Sequence, residues 1–184
     1  MTIAGRLKTE TAGAHDRLDA GLELLGGGDG YTSALVRFWG IYAGAEPRLD
    51  SWHTTAGLGD WPQRRKLPAL RSDLLALGMT PEAVDALPVR HFGEPDTAAG
   101  FGWLYVLEGA TLGGAVIARH LRGAQTVPPG ALSFHTFYGR QLGRRWRAFH
   151  ATLADWVGDD EDRADAVVAG AHATFAAFED WCVR

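Results

Sequence analysis

Residues 97–118, TAAGFGWLYVLEGATLGGAVIA, decide the fold. This stretch of 22 residues contains five glycines and a single charged side chain, Glu108. It is long enough to cross a bilayer, but a carboxylate near the bilayer centre is costly. We therefore interpret it as the buried helix of a helical bundle, which begins at Pro95 and Asp96 and runs to about Leu121.

The rest of the chain carries apolar side chains at helical spacing. These stripes lie in residues 3–25, 31–49, 67–77, 80–87, 138–156 and 168–181. Pro47 lies inside the second stripe and is expected to kink or end that helix. Residues 58–66 are predicted to form a loop and residues 127–130 a turn. No alternating pattern indicates a sheet, so we predict one all-α domain over residues 1–184 with seven or eight helices.

Composition narrows the functional class. One cysteine, Cys182, excludes an internal disulfide, and the net charge of −4 excludes a globally basic nucleic-acid footprint. The N-terminus has no signal-peptide pattern, so we expect a cytoplasmic protein. The usual zinc, zincin, di-iron, nucleophile-elbow and phosphate-loop motifs are absent from the sequence. Residues 26–30 are rich in glycine but follow no strand, which favours a flexible helix connection.

A histidine segment near the N-terminus, LKTETAGAHDRLD (7–19), suggests a ligand site. His15 shares a helix face with Thr11, Leu18, Asp19 and Leu22, and we expect that face to point at the core. Asp19 can accept a hydrogen bond from one imidazole nitrogen and leave the other nitrogen for a metal. Lys8 lies about 10 Å along the helix axis, where it would meet an anionic edge of the ligand. A core histidine and a solvated lysine are the open alternatives.

The glycines of YVLEGATLGG (105–114) need an explanation, because glycine destabilises a helix by about 1 kcal/mol relative to alanine. Gly109 and Gly113 lie one turn apart. Either another helix packs there, with Gly40 and Gly44 as its small residues, or a flat ligand lies against the backbone. Glu108 is either paired with an arginine or orders buried water, and the sequence does not choose between these alternatives.

The two quoted segments, their order and their separation resemble the heme oxygenase family, most of all the biliverdin-producing bacterial branch that accompanies bacteriophytochromes. The resemblance implies heme as both cofactor and substrate, held between a proximal N-terminal helix and a kinked, glycine-rich distal helix. It also implies cleavage of heme with O₂ and electrons to biliverdin, carbon monoxide and ferrous iron. A ferredoxin or a reductase would supply the electrons, and a bacteriophytochrome would receive the biliverdin. No nucleic-acid or membrane partner is expected.

The resemblance also implies roles for individual residues. His15 matches the axial iron ligand and Asp19 its acidic partner, while Gly109 and Gly113 match the distal glycines that approach the heme face. Further expected heme contacts are Lys8, Thr11, Tyr105, Ile117 and Phe178, together with Arg147 or Arg144 on the penultimate long helix. The remaining histidines are expected to be surface or structural residues: His53, His91, His120, His135, His150 and His172.

One position departs from the best-known family pattern. Many heme oxygenases carry an aspartate directly after the first distal glycine, where this chain has Ala110, so backbone carbonyls or Thr111 would have to hold the water. Ala110 keeps a heme-binding protein that does not cleave heme as the alternative. A heme-free relative, such as a thiaminase-type hydrolase or a di-iron oxidase, is opposed by the missing Glu-x-x-His motif and by the position of Cys182.

Overall fold

The computed structural model describes residues 1–22 and 28–183, and within these ranges it contains helices and no strand. The helices are α1 (Ile3–Glu10), α2 (Ala12–Gly21), α3 (Gly28–Thr55), α4 (Leu67–Ala76), α5 (Pro81–Asp85), α6 (Thr97–Gly109), α7 (Gly114–Ala124), α8 (Leu142–Val157) and α9 (Glu161–Cys182). Short 3₁₀ turns lie at Trp61–Gln63, Pro129–Ala131 and Gly139–Gln141. The predicted all-α architecture is confirmed, with nine α-helices in the described residues where seven or eight were expected.

The first apolar stripe forms two helices rather than one. Thr2 caps α1 by accepting a hydrogen bond from the Gly5 N–H. Thr11 separates α1 from α2, and its hydroxyl donates to the Leu7 carbonyl at 2.7 Å. A side-chain hydrogen bond of this kind competes with the regular ladder at a helix end. The expected contributions of Leu25 and of residues 26–27 lie outside the described residues.

Pro47 does not end its helix, so of the two expected effects the helix end is wrong. α3 continues from Gly28 to Thr55 through the proline. Buried side chains flank Pro47 on both sides, with Tyr42 at 1% and Leu49 at 0% exposure. This packing holds the helix across a residue that ordinarily destabilises a helix interior by about 3 kcal/mol.

The glycine-rich stretch breaks where a single helix to about Leu121 was expected. α6 ends at Gly109, residues 110–113 form turns, and α7 begins at Gly114. By length and composition Thr97–Ala124 could span a membrane, and half of its most apolar window is buried inside the protein. The core helix of a soluble protein passes the same test, so this finding is weak support for a membrane span.

The α9 helix organises the bundle because it contacts α1, α2, α3 and α6. It crosses α6 at very short range, which only a residue without a side chain allows. A Cβ on Gly102 would lie 2.4 Å from the Ala171 nitrogen and 2.6 Å from the Gly170 carbonyl carbon. This crossing fixes the position of α6, and therefore the position of the break that follows it.

The Gly102→Ala variant is expected to lower the free energy of unfolding by about 2 kcal/mol, because its methyl group overlaps the α9 backbone. The matched control is Gly123→Ala in α7, where a Cβ meets nothing within 4 Å. There alanine should stabilise the helix by up to about 1 kcal/mol. Urea denaturation measures both, and equal effects of the two substitutions would contradict the close α6–α9 contact.

Candidate active site

His15 lies on α2 and is exposed, so the prediction that its face points at the core is wrong. Its side chain is 57% exposed, although Leu18, which was expected on the same face, is buried. The Nδ1 atom of His15 lies 3.3 Å from Oδ2 of Asp19, as the spacing of four residues predicts. When Nδ1–H donates to Asp19, the Nε2 lone pair remains for a metal.

One contact joins the start of α2 to the end of α6. The Thr11 side chain lies beside that of Tyr105, and burial raises the pKa of Tyr105 while the neighbouring Thr11 hydroxyl opposes the rise. His15 follows Thr11 by four residues, and Gly109 follows Tyr105 by four. Each therefore lies about 6 Å along its helix from this shared contact.

Gly109 and Gly113 face open space. A Cβ built on either glycine meets no atom of the described residues within 4 Å, so none of the described helices packs closely against them. Gly40 instead packs against the Trp181 ring, and Gly44 against the Arg90 carbonyl. The break between α6 and α7 thus presents bare backbone, which leaves room for a flat ligand.

Glu108, one residue before this open backbone, is buried in an ion cluster. Its Oε2 accepts a hydrogen bond from Arg64 Nη1 at 2.6 Å, and its Oε1 bonds the Lys66 ammonium. The Tyr138 hydroxyl lies 2.8 and 2.9 Å from the two carboxylate oxygens. Of the two alternatives left open for Glu108, pairing with an arginine is the one that the structure shows.

The ion cluster extends to α8 through Asp60. Both Asp60 oxygens accept hydrogen bonds from Arg64, and Arg145 Nη1 donates to Asp60 at 2.7 Å. Burial opposes ionisation of Asp60, but these guanidiniums hold its pKa below the ordinary value. Burial, followed by the Glu108 charge, raises the pKa of Tyr138 well above its ordinary value. The phenol therefore keeps its proton and donates it to Glu108.

A small cavity of about 80 Å³ adjoins the break on the side of this cluster. Its lining consists of Thr111, Ala115, His135, Thr136, Tyr138, Gly139 and Leu142. His135 is 3% exposed, and neither of its ring nitrogens has a hydrogen-bond partner among the described residues. Burial lowers the pKa of His135 to about 4. Thr111 is also buried and donates its hydroxyl proton to the Glu108 carbonyl at 2.6 Å.

The other predicted ligand contacts divide into exposed and buried positions. Lys8 on α1 and both Arg144 and Arg147 on α8 are exposed, and Ile117 on α7 is half-buried. Phe178 is 2% exposed and packs in the core, with its ring 6.1 Å from that of Phe38. The aromatic ring beside His15 is that of Phe175, at 6.3 Å, a contact that the sequence analysis did not identify.

Sequence reasoning also missed the side chains that surround Glu108. Arg64 and Lys66 lie in residues 58–66, which were predicted only as a loop. A buried lone carboxylate demands cations, so the basic run at 64–66 was the available signal. Within residues 1–22 and 28–183 no three His, Cys, Asp or Glu side chains converge on a free metal ion. A metal carried by a macrocycle needs only one protein ligand, which fits the lone His15.

The class defined by this geometry is an all-helical protein with one exposed, oriented imidazole and an open glycine break. Comparison with known proteins gives the family. The heme oxygenase family model matches residues 1–184. A curated protein named heme oxygenase, from Xanthomonas campestris pv. campestris (strain 8004), is 42% identical over 151 residues, which cover 82% of this chain and 87% of that protein.

The fold is also seen in a solved structure. Crystal structures of the NO- and CO-bound heme oxygenase from Neisseria meningitidis include a chain that matches with a TM-score of 0.78 and 21% sequence identity. The match covers 99% of this chain and 90% of that one. The chain described here belongs to the heme oxygenase family.

Stability should depend on pH through His135. Its pKa is about 4 in the folded protein and about 6.5 when unfolded, so the unfolded chain binds the proton first as the pH falls. The stabilising contribution is complete above pH 6.5 and is lost between about pH 6.5 and 4, to the extent of about 3 kcal/mol. His135→Phe should remove this part of the slope, as measured by urea denaturation at several pH values.

The control for this prediction is His91→Gln, since His91 is exposed. That variant should keep the wild-type slope. An unchanged slope in His135→Phe would show that the imidazole is accessible to protons in the folded state.

Proposed function

We propose that this chain opens the heme ring with O₂ and electrons and releases biliverdin, carbon monoxide and ferrous iron. The observation that carries the proposal is the arrangement around the Thr11–Tyr105 contact. From that contact the oriented imidazole of His15 and the bare backbone of Gly109 each lie one helical turn away. The curated relative from Xanthomonas, named heme oxygenase, supports the same reaction.

His15 is proposed as the axial ligand of the heme iron, with Asp19 as its hydrogen-bond partner. Heme, when bound, supplies both the iron at which oxygen is reduced and the ring that is cleaved. Asp19 fixes the imidazole tautomer and makes Nε2 a better donor to iron. The Phe175 ring beside His15 limits how far the imidazole can tilt. With His15 as the one protein ligand proposed for the iron, the site would leave the bound heme accessible to oxygen.

The break between α6 and α7 is proposed to form the distal side of the heme site and to act through the close approach of its backbone. Gly109 and Gly113 let the backbone approach the heme face, and residues that carry side chains there would fill the open space. Thr111 lies within the break and is the residue there that carries a hydroxyl, so it is placed among the catalytic residues. Ile117 on α7 is proposed to line the pocket. Phe178, which packs in the core against Phe38, would support the pocket from behind.

Cations and hydroxyls are proposed to bind the two heme propionates. Lys8 and Thr11 lie near the junction of α1 and α2, and Tyr105 lies beside Thr11. Arg144 and Arg147 lie three residues apart on the exposed face of α8. Arg145 between them is bonded to Asp60 and therefore serves the ion cluster instead. These contacts with the propionates would orient the heme ring. The orientation of the ring then decides which edge of heme faces the break.

The electron donor is proposed to be an acidic protein such as a ferredoxin or a reductase. Residues 109–154 contain six arginines and no aspartate or glutamate, in a chain of net charge −4. All six except Arg145 are exposed. This segment includes α7, which begins at the break. The positive electrostatic potential of its arginines would therefore guide an acidic electron donor to the break. A cytoplasmic location and a bacteriophytochrome as biliverdin acceptor complete the proposal.

His15→Ala is expected to lack the Soret band of bound heme. It should also fail to convert hemin to biliverdin under air with ascorbate. Removing the imidazole removes the only proposed iron ligand, so external imidazole should restore part of the spectrum. The measurement is a time series of visible spectra on purified protein with one equivalent of hemin.

The matched control is His172→Ala on α9, an exposed histidine that should leave both properties unchanged. Loss in His172→Ala with retention in His15→Ala would move the iron ligand to α9. Heme that binds through His15 but persists with reductant would instead identify a heme carrier.

Arg119→Glu on α7 is expected to lower kcat/KM for a ferredoxin donor by about tenfold at low salt, because it reverses a charge on the basic surface. Turnover with ascorbate should stay the same. Arg71→Glu on α4, an equal change of charge elsewhere on the surface, is the control. Equal losses in both variants would show that net charge alone governs the encounter.

A further inference from the structure

The exposed face of α8 carries only small side chains in its middle. The residues exposed along this face are Arg144, Arg147, Ala148, Ala151, Ala154 and Asp155. The three alanines follow one another at intervals of three residues, whereas the solvent-facing side of a helix ordinarily carries polar or charged side chains. Another helix can therefore approach this part of α8 closely, since the distance between packed helices depends on the side chains at their contact.

The two ends of the same face carry opposite charges. Arg144 and Arg147 lie in the first half of α8, and Asp155 lies near its end. Four further acidic residues follow the helix at positions 159–162. Within residues 1–22 and 28–183, neither Arg147 nor Asp155 has an ion-pair partner. The face thus offers a positive and a negative group on either side of an uncharged centre.

The order of these residues is symmetric in size and opposite in charge about Ala151. Ala148 and Ala154 lie three residues before and after it, and Arg147 and Asp155 lie four residues before and after it. At about 100° per residue, the members of each pair lie at equal and opposite angles from Ala151. A twofold axis through Ala151 would therefore place Arg147 of one copy opposite Asp155 of a second copy, and the reverse.

This order of charges selects the partner. An acidic protein laid along the face would be attracted by the arginines and repelled by Asp155, and a basic protein would meet the opposite conflict. A second copy of this chain, with its α8 antiparallel, places an opposite charge at both ends at once. The ion pair then occurs twice in the contact, and the alanines of both copies lie between the two pairs.

We propose that the heme-free chain forms a twofold dimer in which the α8 helices of two copies pack antiparallel about Ala151. A contact made by one helix from each copy is smaller than the roughly 800 Å² per partner of a standard stable interface. Exposed ion pairs at its rim add less than about 1 kcal/mol each. The dimer is therefore weak, with an expected Kd of about 10–100 µM.

Bound heme competes with this dimer. Arg144 and Arg147 are also the proposed contacts of the heme propionates, so heme and a second copy use the same guanidinium groups. The competition rests on the proposed function, whereas the dimer of the heme-free chain does not.

The dimer is tested by sedimentation equilibrium of the heme-free protein, up to about tenfold above the expected Kd. Ala151→Glu places two carboxylates together at the axis and should raise the Kd by about tenfold or more. The matched control is Ala83→Glu on α5, where the residue is also exposed, and it should keep the wild-type Kd. Arg147→Asp and Asp155→Arg should each raise the Kd, and the variant with both changes should return to within about threefold of the wild type.

A wild-type chain that stays monomeric throughout this range would overturn the proposal, as would a dimer that Ala151→Glu leaves unchanged. If the chain is monomeric and Ala151→Glu lowers turnover with ferredoxin but not with ascorbate, the face instead binds the electron donor.

Cysteine cross-linking tests the register independently. Ala151→Cys should form an intermolecular disulfide under mild oxidation, because its two thiols face each other at the axis. Ala148→Cys and Ala154→Cys should each cross-link poorly alone and readily when mixed. The native thiol of Cys182 is buried and does not compete. Cross-linking of Ala83→Cys to the same extent as Ala151→Cys would indicate random collision and would overturn the register.

The competition is tested by repeating the sedimentation with one equivalent of hemin. The Kd of the wild-type dimer should rise by about threefold or more, because hemin binds the monomer better. An unchanged Kd in protein that has bound hemin would overturn the competition. If hemin does not bind, the proposed function fails instead, and the heme-free measurements still decide the dimer.

Discussion

The buried carboxylate of Glu108 is the constraint on which the backbone break between α6 and α7 depends. It ties four parts of the chain together: α6 through its own backbone, the 58–66 loop through Arg64 and Lys66, the segment before α8 through Tyr138, and α8 through Asp60 and Arg145. Removing one partner of such a cluster leaves an uncompensated buried charge, at a cost of about 3–5 kcal/mol. Gly109 follows Glu108 directly, so the cluster also fixes where the open backbone begins.

Glycines serve two opposite purposes in this fold, and only the structure separates them. Gly102 lets α6 lie against the α9 backbone, and Gly40 receives the Trp181 ring, whereas Gly109 and Gly113 face open space. All four occur in apolar helical surroundings, and their spacing is equally compatible with close packing and with a ligand face. What distinguishes them is whether a distant segment occupies the position of the missing Cβ.

The sequence predicted what depends on near neighbours. Helical spacing identified the all-α architecture, and a separation of four residues predicted the contact between His15 and Asp19. The predictions failed where distant packing decides. α3 continues through Pro47 because buried residues flank it, and the cations around Glu108 come from a loop about 40 residues away in sequence. No local pattern announces which loop reaches a given carboxylate.

The two sides of the site therefore differ in physical character. His15 and Asp19 are 57% and 66% exposed and belong to one helix, and an exposed pair of this kind contributes less than about 1 kcal/mol to stability. Orienting the imidazole is then the main effect of the pair. The surroundings of the α6–α7 break are the reverse, since Glu108, Tyr138 and His135 are buried and long-range contacts hold them. Substitutions of His15 or Asp19 should thus leave the free energy of unfolding nearly unchanged, whereas substitutions around Glu108 should lower it, because several segments of the chain depend on that one buried carboxylate.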